Sequence, residues 1–262
     1  MPHPLDSARE RLKRADENIR NLHSEVATFL APFPVIRLPR TIIKGVAGID
    51  PIFTQAQRDA ADALRKKIIS TPIDPRFGVL AGEIVHHLRS AFDHVAWQLS
   101  SDSYRKTDWR KIEFPVFNTE PTAKEEMSRY ARKVKGIGSR TALTRIGSLQ
   151  PYRRTCPSDH PLWLIHDLDR IDKHREIVLV AQALKVELSS GLIGQGEQHA
   201  FELQPRKFRP FFPPQVNVWG QLSAHVTFEK FVGGKSESVI PALQQLLCFA
   251  SDAIESFSCE FS

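Results

Sequence analysis

Residues 8–29 read ARERLKRADENIRNLHSEVATF, and in them Ala8, Leu12, Ala15, Ile19, Leu22, Val26 and Phe29 recur at alternating steps of four and three. That period of 3.5 lays seven apolar side chains along one seam of a long helix and leaves its other faces charged. A helix of this kind must bury its seam against others, so the expectation is a helical core. Further runs supply the partners. Asp74 and Pro75 have the cap-then-proline order that opens a helix to about Leu99. Asp159, with Pro161 just inside, opens another through Val180 or beyond, and Ser238 with Pro241 opens a last one with Leu243, Leu246, Leu247, Ala250, Ile254 and Phe257 on one face. Thr54 is placed to cap a helix to about Ile69. Thr122 and Glu125 have the capping-box spacing, with Gly136 as the stop, and a shorter helix runs from Arg140 to about Leu149 before Pro151.

Pro32, Pro34 and Pro39 break the first helix and make Val35 to Val46 an extended edge segment, since proline cannot donate to a ladder. From Val186 the apolar period changes to 2. Val186–Ser189, Phe201–Leu203, Val216–Val218 and Leu222–Phe228 are expected as antiparallel strands. The reading is α+β, mainly α: one domain over residues 1–262, with a helical bundle core at about 5–182 plus 238–259. A small antiparallel sheet at about 186–232 occupies the C-terminal third.

The composition, 41% hydrophobic and 25% charged over 262 residues, excludes disordered, collagen-like and low-complexity classes. Cys156, Cys248 and Cys259 form no C-x-x-C pair and are odd in number, which fits neither a zinc ribbon nor a disulfide framework and points to the cytoplasm. The longest apolar run, Ile177 to Ala181, is far short of the roughly 20 residues of a membrane span, and the N-terminus lacks the apolar stretch of a leader. The net charge of +6 is concentrated in one place. Arg129, Arg132, Lys133, Lys135, Arg140, Arg145, Arg153 and Arg154 lie in a segment with no Asp or Glu, so it carries +8 and the rest of the chain −2. A cationic surface of this kind is the footprint expected for RNA or another polyanion.

Two helices carry unusual polar faces. On the one after Asp74, Glu83, His87, Ser90 and His94 follow a stripe at steps of four, three and four, beside an i,i+4 pair of Arg89 and Asp93. On the one after Asp159, His166, Asp169, Arg170, Lys173 and His174 share a side, so the two faces could meet. A metal site on His87, His94, His166 or His174 with Glu83 is disfavoured, because only one E-x-x-H occurs and a di-iron bundle needs two. A serine hydrolase is disfavoured by the lack of a G-x-S-x-G elbow. No metal or cofactor is implied.

Arg89-Ser90-Ala91-Phe92-Asp93-His94 resembles the R-x4-6-H motif of the HEPN superfamily. The resemblance implies an all-helical protein, metal-independent ribonuclease activity and a homodimer that pairs two such motifs. In that scheme His94 moves protons between the ribose 2′-OH and the leaving oxygen, while Arg89 holds the phosphate. Asp93 would anchor Arg89, with Ser90, His87, His166, Arg170 and His174 in support. More broadly, Gly82–Trp97, Leu149–Tyr152 and His160–Arg175 look like a widespread family of bacterial proteins without an established activity, which implies a bacterial cytoplasmic protein. The competing expectation is a non-catalytic helical scaffold whose polar faces interlock and whose basic segment binds a polyanion.

Overall fold

The computed structural model describes residues 3–44, 55–174, 177, 179–192, 195–202, 215–228 and 237–261. The first helix, α1 (Asp6–Leu30), buries the seam read from its sequence, with Ala8, Leu12, Ala15, Ile19, Leu22 and Val26 all excluded from solvent. The other elements follow in the order β1 (Ile36–Lys44), α2 (Gln55–Ile69), α3 (Arg76–Leu99), α4 (Asp102–Asp108), α5 (Lys124–Val134), α6 (Arg140–Ser148), α7 (Pro161–His174), β2 (Leu179–Leu192), β3 (Gln195–Glu202), β4 (Gln215–Phe228) and α8 (Val239–Glu255). The protein is mainly helical with a small antiparallel sheet.

The chain divides into two compact units where the sequence suggests one. The larger joins residues 1–25, 75–178 and 228–262; the smaller joins 26–74 and 179–227. In the larger unit α3, α7 and α8 pack on one another, and Phe92, Phe114 and Phe257 form a chain of ring contacts with centroids 5.0 and 6.2 Å apart. Gly82 of α3 leaves room for the Asp172 carboxylate of α7, since a Cβ there would lie 2.0 Å from Asp172 Oδ1. The smaller unit has its own apolar cluster of Phe33, Leu64 and Ile68, with Phe29, Leu30, Ala181 and Ala224 against it.

The sheet belongs to the smaller unit and has four strands in the order β1-β4-β2-β3. The Pro39-containing segment is an edge strand as expected, antiparallel to β4, with a register shift between Leu38 and Thr41. Its ladder partner lies some 180 residues on, so the sheet is not confined to the C-terminal third. The two short strands expected at 216–218 and 222–228 are one continuous strand, β4, and β2 begins at Leu179 rather than Val186. Helix α7 accordingly stops at His174.

Local caps differ in detail. Pro75, directly before Arg76, is already in helical conformation, as expected of a proline that opens α3. At α5 the carboxylate that reaches back to the Thr122 and Ala123 amides belongs to Glu126, not Glu125. Before α7 the cap is His160, whose Nδ1 accepts the Leu162 amide at 3.2 Å. Thr54, Val46 and the span 229–232 of the expected strand region lie outside the described residues.

Gly136 follows α5 for a steric reason: a Cβ there would sit 2.3 Å from the Tyr104 ring. Gly147, on the last turn of α6, has nothing within 4 Å of the same position. Gly136→Ala should therefore cost about 1–3 kcal/mol by overpacking, whereas Gly147→Ala should stabilise by about 0.5 kcal/mol through a more restricted unfolded chain. Urea unfolding of the two variants checks both signs.

Candidate functional site

Phe114, Pro115 and Val116 are buried, yet residues 114–117 form neither helix nor strand. Their backbone polar groups must still be paired. Side chains do this. The Phe114 N–H donates to Asp93 Oδ1 at 2.8 Å and the Phe114 carbonyl accepts from Arg89 Nη2 at 2.8 Å, while Arg89 Nη2 also donates to Asp93 Oδ1 at 2.8 Å. One turn of α3 thus clamps both polar groups of a single residue. Gln150, fully buried, completes the segment: its Nε2 donates to the Pro115 carbonyl at 2.9 Å and its Oε1 accepts the Phe117 N–H at 3.0 Å. Arg89 is 4% exposed. The anchoring of Arg89 by Asp93, expected from their i,i+4 spacing, is what the structure shows.

The charges around this clamp are compensated locally. Glu113 forms an ion pair with Lys133 of α5; burial opposes its ionisation, but the ammonium holds its carboxyl below the usual range. Burial pushes Asp93 up, against the pull of Arg89. His166 on α7 is pushed down to about 4 by burial, with Arg89 and Lys133 adding to the effect. Arg89 Nη1 and His166 Nδ1 are both buried without a hydrogen-bond partner among the described residues.

The stripe Glu83, His87, Ser90, His94 meets α1. Ser7 Oγ and His94 Nδ1 are 2.8 Å apart and Asn18 Nδ2 donates to Glu83 at 3.4 Å. Burial lowers the pKa of both His87 and His94, and Arg11 of α1 lowers each further, with Arg14 adding to the effect at His87. Ser7, Arg11, Arg14 and Asn18 repeat the same spacing of four, three and four in antiparallel order. The two stripes form a polar seam between helices, with Ser90 half-buried within it. Arg89 and His94, five residues apart, lie about 140° apart round the helix, and their side chains have no common partner among the described residues: one serves Phe114, the other Ser7.

The polar side of α7 is tied to α3 by His86, whose Nδ1 lies 3.1 Å from the buried Asp169, which also accepts from Lys173 at 2.6 Å. Arg170 pairs with Asp167 within its own helix and, like His174, is exposed. Among the described residues no three His, Cys, Asp or Glu side chains are grouped to hold a metal ion.

The basic segment lies at the surface. Arg129, Arg132, Lys135, Arg140, Arg153 and Arg154 are exposed, and none forms an ion pair among the described residues. Lys133 is the exception through Glu113, and Arg145 is half-buried with its guanidinium 5.7 Å from the centre of the Phe257 ring. Sequence reading missed the aromatic residues of this region. Trp109 is 55% exposed, with the Arg110 guanidinium 5.0 Å from its ring, and Arg153 lies 5.4 Å from the Tyr152 ring. An arginine directly after an aromatic was the available signal. The electrostatic influence of Lys135 on Asp108 and of Arg132 on Lys111 ties the end of α5 to the turn after α4.

Comparison of the chain with family models, curated proteins and solved structures finds no match. Among the described residues no helix is long and apolar enough to cross a membrane.

Two outcomes follow from the clamp. Asp93→Ala strands a buried guanidinium and the Phe114 amide, so it should destabilise by about 3 kcal/mol, against about 1 kcal/mol or less for His94→Ala, whose bond to Ser7 is at the surface. Folded His166 binds a proton only near pH 4, but an unfolded histidine does so near 6.5. Between these values the unfolded state holds more protons, so stability falls as the pH drops. His166→Gln should remove that loss, gaining up to about 3 kcal/mol relative to the parent between roughly pH 7 and pH 4; a difference in urea midpoints that is independent of pH contradicts this.

Proposed function

We propose that the protein binds RNA through the phosphate backbone, using the surface built by Arg129 to Arg154, and that the Arg89 and His94 region is its scaffold. The observation that carries this reading is the contrast in pairing. Six cations of one segment are exposed without an ion pair among the described residues, whereas Arg89 is consumed by Phe114 and Asp93. Unpaired surface cations repel one another and condense anions; a phosphate chain supplies many at once and gains the entropy of released counterions.

Metal-independent cleavage is the second reading, and one observation favours a form of it. Arg11 lies close enough to lower the pKa of both His87 and His94, so a phosphate-binding guanidinium and two neutral imidazoles share the seam between α1 and α3. In that form Arg11, not Arg89, partners His94.

The test is binding of a labelled single-stranded RNA as a function of salt, with EDTA present. Replacing Arg129, Arg132 and Lys135 together by Glu should weaken binding and flatten the slope of log K against log salt by about 2, since each lost phosphate contact contributes roughly 0.7. Intact RNA after incubation with the parent protein near neutral pH is the expected result of the binding reading. Cleavage lost in both His94→Ala and Arg11→Ala but retained in Arg89→Met would establish the second reading instead.

A further inference from the structure

A groove of about 790 Å³ opens at the surface beside α6, between Tyr130 of α5 and the turn Pro151–Arg153. Its walls carry Tyr130, Tyr152, Arg153 and Arg154, and Gly147 and Ser148 lie at its α6 side. We propose that this groove holds an unpaired nucleobase of single-stranded RNA between Tyr130 and Tyr152, with Arg153 and Arg154 on the flanking phosphates. This rests on the RNA-binding reading and names the part of the RNA that the surface takes.

Size and chemistry agree. The volume falls within the roughly 300–1,000 Å³ of small-ligand sites, and every base offers a flat face to an aromatic ring, whatever the sequence. The two rings come from different elements and feel each other electrically, since Tyr152 adds to the burial that raises the pKa of the Tyr130 phenol. That phenol stays a proton donor. Tyr130 is backed by Phe117, with ring centres 5.6 Å apart, which fixes one wall. Arg153 extends the other by lying over Tyr152. The Thr144 and Ser148 hydroxyls donate to the carbonyls of Arg140 and Arg145, so their oxygens are left to accept from amino or ribose hydroxyl groups. A duplex hides its base faces, so the groove selects for single strands.

Gly147 gives the means to test this without disturbing the fold, because nothing lies within 4 Å of a Cβ added there. Gly147→Leu fills the groove from the helix side, and Tyr152→Leu removes a stacking face while keeping bulk. Three probes separate base from charge: a labelled single-stranded RNA, a duplex RNA of the same length, and inorganic polyphosphate as a base-free polyanion. The parent should bind the single strand most tightly. Both variants should weaken that binding by about ten- to a hundredfold, the loss expected for one stacked base, and leave polyphosphate affinity within about twofold. Val79→Ala, at an exposed position of α3 outside both the groove and residues 129–154, should change neither. Equal affinity of both variants and parent for the single strand, with polyphosphate bound, would overturn the groove and leave the cationic surface standing. A parent that binds neither RNA nor polyphosphate would overturn both.

Discussion

A buried stretch of backbone without regular structure is the constraint on which the larger unit depends. Residues 114–117 bring Phe114, Pro115 and Val116 into the core, and no strand accompanies them to take their N–H and C=O groups. Leaving such groups unpaired costs as much as several favourable contacts return. Arg89 and Asp93 answer on one side and Gln150 on the other. Arginine suits the task because its planar fork can serve a carboxylate and a carbonyl together. The clamp then determines its surroundings: Glu113 is delivered to Lys133, and Phe114 seats between Phe92 and Phe257.

This division of labour separates two kinds of charge. Inside, Arg89, Asp169 and Glu113 each have a partner of opposite sign or a backbone group. Outside, Arg129, Arg132, Lys135, Arg140, Arg153 and Arg154 have none among the described residues, and Arg153 and Arg154 stand by the tyrosines of the groove. A structural role explains the first set fully. It leaves the second without a purpose in the fold, since like charges on one surface only reduce its stability. The phosphate-rich partner proposed above would give that surface a use.

Much of the helical framework was legible in sequence because its signal is local. The stripe from Ala8 to Val26, the proline-marked edge strand and the i,i+4 pair of Arg89 and Asp93 each depend on neighbours within a few turns. What was illegible depends on distance along the chain. The pairing of Ile36 with Leu222, the division into two units, and the use of Gln150 by Pro115 and Phe117 have no local mark. The histidine stripe was visible, but its partner stripe on α1 was hidden among the charged residues of an apparently solvent-facing helix. The same holds for Tyr130, which becomes a groove wall only once α5 and the turn after Pro151 are brought together.

The most direct measurement is amide hydrogen exchange across the chain, with and without saturating single-stranded RNA. The account predicts slowed exchange within residues 129–154 and the Trp109 turn, with the amides of α3 around Arg89 and His94 unchanged. Protection centred on residues 83–94, with none between 129 and 154, would contradict it and place the RNA on the polar seam.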